Sequence, residues 1–230
     1  MEQLPGGLTL QIPEGAFPLS TDSMVLSGFV RLPKNARILD LGSGCGTLGL
    51  LLCARDSGCR VTGVELDPTA HRGALENIAR NRLEGRMESI CADLRRVSLP
   101  PGAFDICVSN PPYFSGGPGS KTHRTARRED LCSLEALMET ASRALKYGGD
   151  LFLVHRPERL AQLCTAGSKQ GLEAKRLGLF RHKKDGPVSL VLVQLKKGGK
   201  PGLIWEETHL FEPDGAKSEA YQTLYHEQEA

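Results

Sequence analysis

The spacing of apolar positions along this 230-residue chain changes period repeatedly, and each change marks an element. Residues 36–41 (ARILDL) form a short apolar run that ends in a glycine-rich turn, the pattern of a strand covered on both faces. From Thr47 to about Ser57 the sequence TLGLLLCARDS reads as a helix that stops before Gly58. Residues 60–65 (RVTGVE) are a second strand, and Pro68 suits the first turn of a helix running to about Asn81. Residues 87–92 and 104–109 supply two more strands. From Asp130, the positions Leu131, Leu134, Leu137, Met138, Ala141 and Leu145 recur at helical spacing, with Gly148-Gly149 as the expected stop. Residues 151–155 predict a fifth strand, and Arg156-Pro157 opens a helix toward Gly171. Residues 172–181 and 187–195 predict an antiparallel hairpin about Lys184-Asp185-Gly186. Strands alternating with helices imply an α/β fold around a mainly parallel sheet. Beyond residue 200 the pattern is less regular and no element is predicted. No repeat or linker divides the chain, so residues 1–230 read as one domain.

Composition narrows the class. A hydrophobic fraction of 40% with 24% charged residues is that of a water-soluble globular protein. No run approaches the ~20 apolar residues of a membrane span. The opening Met-Glu-Gln-Leu-Pro-Gly-Gly lacks the basic start and apolar run of a signal peptide. The seven cysteines (Cys45, Cys53, Cys59, Cys91, Cys107, Cys132 and Cys164) form no CxxC pair. They predict free thiols in a reducing cytoplasm, with no metal site. The net charge of +2 conceals an uneven distribution: residues 121–200 hold 17 basic and 8 acidic side chains, residues 201–230 only 1 basic and 7 acidic. The basic stretch could meet a phosphate backbone or simply be solvated helix faces.

Candidate chemistry begins after the first strand, at Asp40-Leu-Gly42-Ser-Gly44-Cys-Gly46-Thr47. Glycines allow a sharp turn and close approach of a ligand to the main chain, and the following helix offers unpaired N–H groups. Glu65, 19 residues past Gly46 at the end of the second strand, is placed to accept hydrogen bonds from ribose hydroxyls. The same segment spells GxGxxG at Gly44, Gly46 and Gly49, which raises an NAD-dependent oxidoreductase as a rival. Asp40 argues against it, since a pyrophosphate would be repelled there but the ammonium of a methionine group attracted. Asp93, with Leu94 beside it after the third strand, is placed for an adenine amino group. Three acids at three successive strand ends therefore favour S-adenosylmethionine over mere loop capping.

The fourth strand runs into Asn110-Pro111-Pro112-Tyr113-Phe114. An exocyclic amine on an aromatic ring is a poor nucleophile because its lone pair is delocalised. Two acceptors, the Asn110 side-chain oxygen and the Pro111 carbonyl, can hold both N–H bonds and favour a tetrahedral nitrogen that attacks a sulfonium methyl. Paired prolines stiffen the turn, and Tyr113 can stack on a flipped-out base. No lysine or histidine base is needed. The motif alone leaves adenine N6, a glutamine amide and guanine N2 open as substrates.

The arrangement over residues 36–195 resembles the Rossmann-like class I methyltransferases. From roughly residue 5 to beyond 205 the chain is similar to the bacterial tRNA1(Val) adenine-N6 methyltransferases. That likeness rests on Phe17-Pro-Leu-Ser-Thr21-Asp22-Ser-Met-Val-Leu26, on Asn110–Phe114, on Ala126-Arg127-Arg128-Glu129 and on Lys197-Gly-Gly-Lys-Pro-Gly202. The resemblance implies a mainly parallel seven-stranded sheet with helices on both faces and a C-terminal antiparallel hairpin. It implies a segment 1–35 that covers the cofactor site with Thr21 and Asp22 near the methionine end, a core over 36–195 and an extension over 196–230. It implies N6-methylation of an adenine in tRNA near the anticodon. The flexible stretch after the proline motif carries Lys121, Arg124, Arg127 and Arg128, which are placed to hold phosphates flanking the base. Release-factor glutamine methyltransferases share the motif but follow it with a Glu-Pro stretch, absent here. The acidic residues 203–211 depart from the apolar, Pro-Pro-containing stretch usual in the tRNA family. Methylation of a protein glutamine, of rRNA or of DNA, and a non-catalytic cofactor-binding scaffold, remain rival readings. Among smaller signals, His155 reads as a satisfied strand-end histidine, with a place facing the site as the alternative, Arg181–Lys184 as a solvated turn or an RNA contact, and Trp205 as packed against the domain.

Overall fold

The computed structural model describes residues 1–15, 18–111 and 134–225. A two-stranded ribbon opens the chain, β1 (Glu2–Gln3) against β2 (Thr9–Leu10), followed by α1 (Thr21–Phe29). The main body is β3 (Arg37–Leu41), α2 (Thr47–Arg55), β4 (Arg60–Glu65), α3 (Pro68–Arg80), β5 (Met87–Cys91), β6 (Phe104–Ser109), α4 (Leu134–Ala144), β7 (Leu145–His155), α5 (Leu160–Lys169), β8 (Leu172–Lys183) and β9 (Val188–Lys197). It ends with β10 (Ile204–Phe211) and α6 (Glu219–Tyr225).

Eight strands form one sheet in the order β10-β8-β9-β7-β6-β3-β4-β5. β5, β4, β3, β6 and β7 run parallel, whereas β9 is antiparallel to both of its neighbours. The expected hairpin is thus present as β8–β9. β10 adds an eighth strand that the sequence did not announce, parallel to β8. Gly148 and Gly149 do not stop a helix: α4 ends at Ala144 and both glycines lie within β7. There the pairing with β6 slips between Phe104 and Ile106, and a Cβ at Gly149 would come within 2.9 Å of the Asp105 carbonyl. The glycines therefore serve close strand approach.

Each central strand gives alternate residues to two cores. Ile38, Val61, Ile106, Val108, Phe152 and Val154 pack with Met24, Leu26, Leu50 and Leu52 of α1 and α2 on one face. Leu39, Val64, Cys107, Leu151 and Leu153 pack with Leu137, Met138 and Leu163 of α4 and α5 on the other. Burial on both faces explains why these strands read as continuous apolar runs. Pro68 does occupy the first turn of α3, capped by the Asp67 carboxylate accepting from the Thr69 N–H at 2.7 Å. The six described cysteines are free thiols. Among the described residues no helix is long and apolar enough to cross a membrane, and no group of three or more His, Cys, Asp or Glu could hold a metal ion.

Candidate active site

The carboxyl ends of β3, β4, β5 and β6 share one edge, and Asp40, Glu65, Asp93 and Asn110 are all found there. Leu41 pairs with Val64, Glu65 with Cys91, and Asp40 with Val108, so these chain exits lie at similar heights. Ligands of open α/β sheets bind at this edge.

The glycine loop is held before any ligand is considered. The N–H groups of Gly42 and Ser43 donate to the Val64 carbonyl at 2.9 and 3.1 Å. Gly44 N–H donates to Glu65 Oε2 at 2.8 Å, while Glu65 Oε1 accepts from Asp67 N–H at 2.8 Å. Gly42, Gly44 and Gly46 have φ of 75°, 57° and 85°, which side chains other than hydrogen rarely tolerate. A Cβ at Gly42 or Gly44 would meet nothing within 4 Å, so the space above the loop is open. At Gly46 and Gly49 the Cβ would instead strike the Met87 side chain at 2.7 and 2.5 Å, where helix α2 packs on the sheet.

Asp40 is 1% exposed, and neither carboxylate oxygen has a hydrogen-bond partner. Burial, then repulsion from Glu65, pushes its carboxyl up to about 7; the Gly49 N–H pulls the other way but stays outside hydrogen-bond geometry. The Ser43 hydroxyl is likewise buried without a partner. An unpartnered buried acid is costly alone and is relieved by a cationic group, so this cradle fits the ammonium-bearing cofactor expected from the sequence.

Asn110 leaves β6 with its Nδ2 donating to Ser23 Oγ at 3.0 Å, which orients the amide oxygen away from Ser23. Just beneath, the Ser109 hydroxyl donates to the Leu41 carbonyl at 2.7 Å and ties the ends of β6 and β3 together. Pro111 is buried. Pro112, Tyr113, Lys121, Arg124, Arg127 and Arg128 lie outside the described residues. Thr21 and Asp22 form the first turn of α1, where an acid suits the unpaired N–H groups, and Ser23 of that turn carries the contact to Asn110. The N-terminus of α1 is thereby brought beside the end of β6.

Asp93 follows β5, but its carboxylate is occupied on one side by Arg95. Arg95 Nε lies 3.0 Å from both oxygens and Nη2 2.5 Å from Oδ2, and these bonds hold the carboxyl below its ordinary range. Leu94 is buried in the second core, its carbonyl accepting from Thr140 Oγ1 at 2.9 Å. His155 is 2% exposed and its Nδ1 accepts from the Arg156 N–H at 2.8 Å. Burial first, then Arg159 and Arg156, lower its pKa to about 4, so it stays neutral. Trp205 is not packed against the domain: it stands 70% exposed on β10. The turn Arg181–Lys184 is tied to the acidic tail, Arg181 to Glu207 at 3.3 Å and Lys184 to Glu212 at 3.1 Å.

Two contributors were not singled out in the sequence. Ser23 is one. The other is Asn77 on α3, fully buried, whose amide pairs with both backbone groups of Gln11 at 2.8 Å and also donates to the Cys45 carbonyl at 3.1 Å. It joins the N-terminal segment to the glycine loop.

A mainly parallel sheet with one reversed strand, carrying an acid-lined glycine loop at its strand ends, defines a Rossmann-like methyltransferase. The family model for the methyltransferase small domain matches residues 21–163. A tRNA1(Val) (adenine(37)-N6)-methyltransferase of Tolumonas auensis is 34% identical over 198 residues, 84% of this chain and 81% of its own. Among solved structures, a predicted O-methyltransferase from Agrobacterium tumefaciens superposes with a TM-score of 0.75 at 23% identity, covering 90% of this chain and 96% of its own. A SAM-dependent methyltransferase from Aquifex aeolicus superposes at 0.56 with 16% identity, covering 75% and 87%. This chain belongs to the methyltransferase small domain family, whose cofactor is S-adenosylmethionine.

Proposed function

We propose that this protein methylates the exocyclic N6 of an adenine in tRNA, next to the anticodon, at the position for which its relatives are named. S-adenosylmethionine, when bound, supplies a methyl group activated by a sulfonium. Asp40 receives its ammonium, Glu65 its ribose hydroxyls, and Asp93 with the Leu94 backbone its adenine. The loop Gly42–Gly46 gives it a close main-chain approach, and Thr21 and Asp22 border the methionine end. Asn110 Oδ1 and the Pro111 carbonyl accept the two N–H bonds of the target amine, and Pro112 and Tyr113 stiffen the turn and stack on the base. Lys121, Arg124, Arg127 and Arg128 neutralise flanking phosphates. The segment 1–35 covers the site as part of a single domain with the 36–195 core, and the protein works in the cytoplasm, where its RNA is found.

The observation that carries this reading is the Asn110 amide, fastened from behind through its nitrogen so that its oxygen is the end left for a donor. Labelled S-adenosylmethionine with bulk tRNA, rRNA or release factor, followed by digestion, is expected to give N6-methyladenosine from tRNA. Label recovered as N5-methylglutamine would end the RNA reading. Asn110→Ala is expected to lower kcat at least ~100-fold, the scale of one preorganised polar contact, with cofactor affinity kept within a few-fold.

A further inference from the structure

We propose that Ser23 is a positioning residue that decides which end of the Asn110 amide faces the substrate. A primary amide is an acceptor at one end and a donor at the other, and a rotation of half a turn about its last torsion exchanges them. An amine substrate needs the acceptor. With the amide reversed, two N–H-bearing groups would face each other, with no bond and mutual repulsion. The orientation therefore has to be set by a neighbour that strictly accepts from Nδ2.

A serine hydroxyl is not by nature such a neighbour, because it can equally donate to Oδ1. What biases it here is a third group. Ser23 Oγ lies 3.4 Å from Ser20 Oγ, and Ser20, the cap of α1, already accepts the Ser23 N–H at 3.3 Å. In this hydroxyl pair Ser23 is assigned the donor role: with its proton directed at Ser20, its lone pairs face Asn110, 3.0 Å away. Ser23 is only 7% exposed, so water does not compete readily for that contact. The helix cap, the hydroxyl and the amide form one relay across 87 residues of sequence. The same turn holds Thr21 and Asp22, so cofactor border and amide orientation are set by a single stretch of helix.

The inference rests on Asn110 acting as an acceptor, and a double-mutant cycle separates the two ideas. The variants are Ser23→Ala, Asn110→Ala and the pair, with kcat, KM for tRNA and the dissociation constant for S-adenosylmethionine measured on each. Ser23→Ala is expected to lower kcat roughly three- to tenfold, the worth of one hydrogen bond, with KM and cofactor affinity within twofold. In the Asn110→Ala background the same change is expected to have no further effect on kcat. A loss that multiplies through in both backgrounds means Ser23 supports the fold generally and overturns the proposal, as does an unchanged kcat in Ser23→Ala alone. Ser23→Cys, similar in volume but a weak acceptor, is expected to lie between serine and alanine; full activity there also counts against the relay. If Asn110→Ala itself keeps its turnover, it is the reading of Asn110 that fails.

Discussion

Asp40 and Glu65 are both acids at a strand end, yet their surroundings give them different behaviour. Glu65 spends one oxygen on the Gly44 N–H and the other on the Asp67 N–H, so it shapes the glycine loop. Asp40 has no such partners, and its carboxyl titrates near 7. Because that value lies above the ordinary 3.8, the folded protein holds this proton more tightly than the unfolded chain. The contribution to stability is present below about 4 and is lost as pH rises through 7. His155, lowered to about 4, works in the opposite sense, adding stability as pH rises from 4 through its usual 6.5. The expected outcome is that the difference in melting temperature between wild type and Asp40→Asn, without ligand, turns against wild type between about pH 4 and 7. Cofactor affinity of wild type rises over the same interval, because a cation favours the ionised acid. Parallel melting profiles in calorimetry would dismiss the assignment. At this scale the acids and glycines were legible because each stands next to its own strand end. Ser23 and Asn77 were not, since their partners are 87 and 66 residues away, even though Ser23 lies within the family-like stretch of residues 17–26.

At the scale of elements, the N-terminal ribbon docks on α3 through amides that imitate a strand. Asn77 pairs with the backbone of Gln11, and Asn81 pairs with that of Thr9, accepting its N–H and donating to its carbonyl at 2.8 Å each. Only Asn77 also reaches the glycine loop, at the Cys45 carbonyl. Both Asn77→Ala and Asn81→Ala should cost about 1–3 kcal/mol in denaturant unfolding, from backbone groups left unsatisfied. Only Asn77→Ala should weaken cofactor binding as well, in titration calorimetry. Equal weakening by both would mean that the ribbon acts as a whole rather than through Cys45. The buried strands of the sheet were readable because two-sided burial forces continuous apolar runs. α1 escaped notice because its polar Ser23 and Ser27 are buried together with Met24, Val25, Leu26 and Phe29, so no solvated polar face alternates with an apolar one. β10 escaped for the opposite reason: its first four residues are exposed, so no alternation is imposed on Ile204-Trp-Glu-Glu207.

Over the whole molecule, the uneven charge of the sequence is partly cancelled by folding. The acidic tail returns along β8 and places Glu206, Glu207 and Glu212 against Arg176, Arg181 and Lys184. Such exposed pairs add little stability individually. Arg176 is different: it is 6% exposed and lies 3.8 Å over the Phe29 ring. It donates to the Phe29 carbonyl at 2.6 Å and to Glu206 at 3.2 Å, so it binds the end of α1 to the sheet and the tail. Arg176→Met, which keeps the apolar stem, should cost about 1–3 kcal/mol in chemical denaturation through the lost hydrogen bonds and cation–π contact. A neutral result would mean that the β8–β10 pairing and the packing of Leu210 and Phe211 anchor the tail without Arg176.

The outer side of β10 is closed at its far end, where Phe211 bridges to Lys217 and the Leu210 carbonyl accepts from Ser218 N–H, but beside its first residues no described strand pairs with it, and such a margin is a ready template for further chains. Ile204 and Trp205 would make it sticky, but Glu206 and Glu207 follow directly and are exposed. Two molecules approaching margin to margin would bring four carboxylates together, so the acids that steady Arg176 and Arg181 from one side also discourage runaway polymerisation from the other.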